Sequence, residues 1–250
     1  MASPVAYIDQ KWPEMWQAMV KGSGARAVPV GSPIDWAAPA ILRGLQYGSE
    51  ELLTKLLAKR HPFWFIDSGY FRAFDQSPRL YYRVVRNAFH QNAIIKRDNG
   101  ERWRALGLEM KEWRREGGHV LVCPPASTIV KDLFFGHGWL DSVMRTLPLY
   151  TDRPIVIRPK YSPGSIYEAG KKSWAVVTHL SNVAVDLALV GIPAFVWRGH
   201  AADPIANHDL SQIESPLLSF DRLRWAESLA SAQFTVEEMA SGLAWEMMQC

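Results

Sequence analysis

Cysteine is nearly missing. Two in 250 residues, Cys123 and Cys250, are too few for a disulfide framework or a zinc site, so a reducing compartment is the expected setting. No uncharged apolar run approaches the roughly 20 residues that a membrane-spanning helix needs. The nearest stretch, AVVTHLSNVAVDLALVGIPAFVW (175–197), is broken by Asp186, Gly191 and Pro193. The N-terminus has no basic segment followed by an apolar one, so no secretory signal is read there. Gly-x-Ser-x-Gly, Walker and Gly-x-Gly-x-x-Gly patterns are lacking, which weakens hydrolase, P-loop NTPase and dehydrogenase readings. No His-Glu-x-x-His occurs. His200, Asp203, His208 and Asp209 in HAADPIANHD form only a loose cluster, so no metal is expected.

What is present is an ordinary globular composition, 48% hydrophobic and 21% charged, with an unusual eleven tryptophans. Such a number suits extended aromatic packing or a stacking surface. Net charge is only +3 but unevenly spread. Residues 55–116 hold 14 Lys/Arg against 7 Asp/Glu, whereas from Asn182 onward there are 3 Arg and 9 acidic residues. That polarity is either a solvated face or the mark of a polyanion partner.

The second half alternates apolar strands with helices. Strands are expected at HVLVC, PIVIRPK (154–160), WAVVTH and PAFVW (193–197). Between them, GWLDSVMRTLPLY (138–150), IYEAGKKS and SNVAVDLALVG have helical character. Strands apolar throughout and separated by helices indicate a parallel sheet covered on both faces. The first half is less regular. Strands are expected at VAYID (5–9), AVPV (27–30), PFWFID (62–67) and LYYRVV (80–85). Helices are expected around WPEMWQAMV, over 49–60 and over 101–116, and a last helix over FTVEEMASGLAWEMM, capped by Thr235 with Glu238 three residues on. The fold class is therefore α/β, read as two Rossmann-like lobes facing a cleft, residues 1–117 and 118–250, divided at Gly117-Gly118.

Ligands of parallel α/β sheets collect beyond the C-terminal strand ends. Those ends hold Asp67, Ser127, Arg158, Lys160, His179, Ser181 and Asn182. Two cations and a helix start on one edge form an anion site, because unpaired N–H groups and the helix dipole favour negative charge. Ser181 and Asn182 either cap the helix or hold a phosphate. His179 is either a core histidine or a phosphate donor. Arg72, Arg79, Arg83, Arg86, Lys96, Arg97, Arg102 and Arg104 are interleaved with Phe71, Phe74, Tyr81, Tyr82, Phe89 and Trp103. Such a mixture suits a phosphate backbone with an unstacked base, or else aromatic core residues beneath a solvated basic face.

The run RPK…AVVTHLSNVAVDLALVGIPAFV resembles the donor-binding lobe of GT-B-fold glycosyltransferases. The resemblance implies that Arg158, Lys160, His179, Ser181 and Asn182 hold the phosphates of a nucleotide-sugar, a UDP-sugar first among them. It implies Asp186 as the ribose carboxylate, although the family's usual residue there is Glu, and Gly191-Ile192-Pro193 as the closing turn. It further implies Asp67 as the general base and no tightly bound cofactor. FWFIDSGYF, YYRVVRNA and QFTVEEMASGLAW resemble uncharacterised proteins of tailed bacteriophages, which implies the host bacterial cytoplasm and no membrane step. A phage setting makes hydroxymethylpyrimidine bases in DNA the expected acceptor, contacted by Arg72, Arg83, Arg86, Lys96, Arg97 and Arg102. A non-catalytic nucleotide or nucleic-acid binding module, or an interaction protein on the same scaffold, are the alternatives.

Overall fold

The structure is a computed structural model that describes residues 3–71, 81–126, 128–134 and 136–249. The chain divides into two units. Unit 1 comprises Met1–Gln91, Lys96–Leu106 and Glu227–Cys250, and unit 2 comprises Asn92–Ile95 and Gly107–Ala226. The expected boundary at Gly117-Gly118 lies inside unit 2, and the C-terminal residues from Glu227 belong with unit 1.

Unit 1 runs β1 (Val5–Ile8), α1 (Pro13–Ser23), β2 (Arg26–Pro29), β3 (Ala40–Arg43), α2 (Ser49–Ala58), β4 (Phe63–Ser68), β5 (Tyr82–Arg86) and α3 (Glu101–Ala105). Its sheet has the order β10-β5-β4-β3-β1-β2, where β10 (Gln233–Phe234) comes from the chain's far end. Strands β1 to β4 pair in parallel, while β5 runs antiparallel to both β4 and β10. Ala6, Ile41, Phe65 and Val84 are fully buried, with Met15 and Met19 of α1 and Leu53 and Leu56 of α2. Strands buried on both faces read as continuous apolar runs, which is why VAYI and FWFI are legible in the sequence.

Unit 2 runs β6 (His119–Cys123), α4 (Thr128–Leu133), α5 (Trp139–Thr146), β7 (Ile155–Ile157), α6 (Ile166–Gly170), β8 (Ser173–Thr178), α7 (Val183–Leu189) and β9 (Ala194–Val196). Its sheet is wholly parallel in the order β7-β6-β8-β9. Val120, Val122, Ala175, Val177 and Phe195 meet Val143 and Leu147 of the α5 region in one apolar cluster. Alternation along β6 and β8 turns Leu121 and Val176 to the other face, where both are buried. Helix α7 is buried from Ala184 to Leu189, so it carries no polar face that would betray a helical period.

The chain then follows α8 (Arg222–Ala230), which carries it from unit 2 to unit 1, and ends with β10, α9 (Val236–Ala240) and α10 (Leu243–Met247). The single helix expected over 235–248 is thus two helices, broken at Gly242, whose φ is +90°. The Thr235 cap is present, its hydroxyl accepting from the Glu238 N–H while Glu238 accepts from the Thr235 N–H. The helix expected over 101–116 ends at Ala105. Gly107 turns the chain at φ +63°, and the residues beyond instead hydrogen-bond the end of α7 and its turn, Lys111 N–H to Leu189 O and Arg114 N–H to Gly191 O. Strand β3 and helix α8 are absent from the sequence reading. Neither so short a strand nor a charged helix gives a clear period, and β3 holds only AILR between Pro39 and Gly44.

Candidate functional site

In unit 2 the chain leaves β6 for β7 on one side and returns to β8 on the other, so the strand order reverses between β6 and β8. A ligand crevice is expected at the C-terminal ends of that pair. The Thr178 hydroxyl donates to the Cys123 carbonyl there, 2.7 Å, tying the two strand ends together. Burial pushes the Cys123 thiol up to about 11, with the Arg158 charge opposing, so the thiol is protonated and inert at neutral pH.

His179, the next residue, is fully buried. Its ring stacks on Trp197 at 5.2 Å and 25° and meets Trp139 edge-on at 5.9 Å. Burial pushes its pKa down to about 4, with the Phe134 backbone opposing in part. The ring is therefore neutral at pH 7 and sandwiched by indoles. Beside it lies a cavity of about 350 Å³ whose lining includes Trp139, Ser142, Thr146, Phe195, Trp197 and His208. Trp197 is 42% exposed, so one indole packs on His179 while remaining open to solvent.

The sequence-named cations have definite positions. Arg158 donates to the carbonyls of Ser162, Pro163 and Gly164, at 3.3, 3.1 and 2.5 Å, and so holds the loop after β7. Lys160 is exposed and lies over Tyr161. The Ser181 hydroxyl accepts weakly from the Val183 N–H at 3.4 Å, and Asn182 occupies the cap position without a side-chain cap bond. Asp186 is buried and accepts the Tyr167 hydroxyl at 3.3 Å. Ser127 lies outside the described residues.

The loose His/Asp cluster fastens the loop after β9. The His200 Nδ1 accepts from the Ala202 N–H, 2.8 Å, which fixes the proton on Nε2, and Nε2 donates to the Ser181 carbonyl, 2.8 Å. Asp203 bridges the Gly199 N–H and His208, whose other ring nitrogen faces the Val196 carbonyl. Asp209 accepts from the Ser211 N–H. These residues shape the cavity mouth and anchor the turn that opens α7.

In unit 1 the strand order reverses between β1 and β3. Asp9 follows β1. Its Oδ1 accepts from the Lys11 N–H, 2.7 Å, and the Trp16 indole, 3.4 Å, while Oδ2 is buried with no partner. Trp12 and Tyr47, both at φ +60°, flank the same edge. Each left-handed residue costs roughly 1–2 kcal/mol, and such strain gathers at functional sites. Arg43 lies over Trp12 at 4.6 Å and Lys11 over Tyr47 at 5.6 Å. None of these residues stood out in the sequence except as Trp-rich surroundings. The available signal is that VAYID and FWFID both end in Ile-Asp.

Asp67, at the end of β4, accepts from the Arg83 guanidinium at 3.0 Å and from its neighbour's N–H. Arg83 is buried. Arg102 forms a two-pronged pair with Glu238, 2.6 and 2.8 Å, and donates to the carbonyls of Ala230 and Gln233. Arg97 donates to Gln91, 3.0 Å, and Arg86 lies over Trp64. Arg86 and Lys96 are exposed. Arg72, Phe74 and Arg79 lie outside the described residues.

No protein-family model and no curated protein sequence matches the chain. Among solved structures it is similar to the β-Kdo 2,7 transferase of Thermosulfurimonas dismutans KpsC, with a TM-score of 0.52 and 12% identity over 98% of this chain and 99% of that one. The β-Kdo 2,4 transferase of the same protein gives 0.49 and 11%, over 91% and 90%. The α/β fold with parallel sheets is thus shared with the first of these along nearly the full length of both chains.

Proposed function

We propose that this protein is a glycosyltransferase that uses a nucleotide-sugar donor. One observation carries the reading. On a fold shared with a sugar transferase, the unit 2 strand-order reversal lies beside an aromatic-walled cavity large enough for a nucleobase, about 350 Å³. The base stacks on Trp197, with the Ser142 and Thr146 hydroxyls one helical turn apart as hydrogen-bonding partners. Lys160, Ser181 and Asn182 serve the phosphates, and Arg158 holds the loop that carries Lys160. His179 supports Trp197 from behind instead of meeting the phosphate.

The finer acceptor reading, hydroxylated bases in phage DNA, needs the arginines of 72–104 at a surface. Among the described residues Arg83 and Arg102 are engaged within unit 1, while Arg86, Lys96 and Arg104 are exposed.

The test is calorimetry with uridine and cytidine diphosphates and their sugar conjugates. Trp197→Ala is expected to weaken nucleotide binding by about 1–3 kcal/mol, the worth of one stacked base. Slow release of nucleotide from the sugar conjugate separates a transferase from a non-catalytic binder. Equal affinity in wild type and Trp197→Ala would refute the base site.

A further inference from the structure

The unit 2 sheet closes one of its edges and leaves the other open. Beyond β9, Asn207 adds a bridge, its N–H donating to the Ala194 carbonyl and its carbonyl accepting from the Val196 N–H, each at 2.9 Å. At the opposite edge, β7 pairs with β6 alone among the described residues. The Val120 N–H donates to the Pro154 carbonyl and the Arg158 N–H to the Val122 carbonyl, so the even-numbered residues of this segment turn their backbone groups to β6. The N–H and C=O groups of Ile155 and Ile157 therefore point outward, and no hydrogen bond reaches them among the described residues. An open strand edge is a template for another chain, and proteins commonly blunt it with charge or proline inside the strand. Here the strand is Ile-Val-Ile, with Val156 and Ile157 43% and 44% exposed.

The outward row is bounded on both sides. The Arg153 N–H is taken by the Thr151 hydroxyl, and Pro159 has no N–H to offer. So short a row matches itself when a second copy runs antiparallel beside it. Ile155 then exchanges both bonds with the copy's Ile157, Ile157 does so with the copy's Ile155, and Val156 meets its own counterpart on a two-fold axis. In the same register Asp152 falls opposite the copy's Lys160. Both are exposed, and neither is in an ion pair among the described residues. An in-register parallel pairing would instead set each charge beside its like, which is unfavourable. Leu149 and Tyr150 before β7 and Tyr161 after it are exposed as well, and antiparallel pairing puts the first two on the side of the copy's Tyr161.

We propose that β7 is a self-association edge, through which two copies of this chain join their four-stranded unit 2 sheets into one continuous sheet about a two-fold axis at Val156. The pairing gives every outward N–H and C=O of Ile155 and Ile157 a partner and covers the exposed Val156. It also closes, because each copy uses the edge once and leaves none for a third. The inference is independent of the nucleotide-sugar reading.

The test is sedimentation equilibrium of the full chain from low to high micromolar concentration, with Lys160 left unchanged because the nucleotide reading uses it. Wild type is expected to dimerise reversibly. Val156→Lys and Val156→Glu each put like charges opposite one another at the axis, and each should raise the dimer dissociation constant about tenfold or more. Mixed together, the two variants should recover a dimer holding one of each, because the charges at the axis then attract. Damage to the fold would not reverse on mixing. If neither charged variant folds, Val156→Cys on a Cys250→Ser background takes their place. Opposed residues at a non-hydrogen-bonded antiparallel position lie about 4.5 Å apart at Cα, within disulfide reach. That thiol should cross-link about tenfold or more faster than the thiol of Lys172→Cys, an exposed position away from the edge. A chain monomeric throughout, a dimer indifferent to both charges, or cross-linking no faster than at position 172 overturns the proposal.

Discussion

His179 shows how far a single residue's role depends on its neighbours. Its sequence position, ending an apolar strand before a helix, fits a phosphate donor as well as a core residue. In the structure the ring lies buried between Trp139 and Trp197, which favours its neutral form. The sign of the linked stability follows. The unfolded chain binds a proton near the ordinary histidine value of 6.5, while the folded ring resists until about 4. Stability contributed by the neutral ring is therefore fully present above 6.5 and is lost progressively as pH falls toward 4. In His179→Phe, urea midpoints measured at pH 7, 5.5 and 4 should fall less steeply than in wild type. Parallel curves would mean that the ring is not sealed. At this same scale, the sequence singled out Asp67 and passed over Asp9, although each follows an apolar strand ending in Ile-Asp. In the structure Arg83 pairs with Asp67, whereas Asp9 accepts from the Lys11 N–H and the Trp16 indole and has no ion-pair partner among the described residues.

Elements were legible where both faces of a strand are buried or a cap is explicit, as in FWFID, WAVVT and the Thr235–Glu238 box. They were not legible where tertiary contact sets the boundary. Helix α3 stops at Ala105 because the following chain is used against α7, and AILR becomes a central strand through its neighbours on both sides, not through any pattern of its own. Two element contacts are directly testable. Gly22 of α1 lies so close to α9 that a Cβ there would fall 1.8 Å from the Met239 carbonyl oxygen. Gly22→Ala must push the helices apart, and a loss of about 1–3 kcal/mol is expected by chemical denaturation, the usual scale of overpacking. Arg102 fastens α3 to the start of α9 through Glu238. Burial raises that carboxyl, but the Arg102 hydrogen bonds and the Thr235 N–H outweigh it and hold it below its ordinary value. The pair's contribution is present above the ordinary 4.5 and is lost as pH falls through the folded value. Arg102→Ala should cost about 2–4 kcal/mol at pH 7, between the scales of exposed and buried pairs, and less at pH 3. An equal loss at both pH values would assign the effect to packing alone.

At the scale of the whole molecule, the sequence correctly implied an α/β chain with parallel sheets, but not that its last residues return to the first unit. Phe234, Met239 and Met248 are each no more than 2% exposed within unit 1. Burying three such side chains contributes roughly 4–9 kcal/mol, comparable with the 5–15 kcal/mol that stabilises a typical domain. A chain ending at Ala226 is therefore expected to lose the cooperative unfolding of unit 1, read as a missing transition in scanning calorimetry. An unchanged melting profile would contradict the assignment of Glu227–Cys250 to that unit. Biosynthesis feels this arrangement as well. Met1–Gln91 leaves the ribosome first, yet β5 has no β10 beside it until residues 233–234 are made. With translation at about 5–20 residues per second, the early segment waits roughly 7–28 s for its missing strand. Unit 2, although encoded later, is complete before unit 1, so the nascent chain finishes its middle before its beginning.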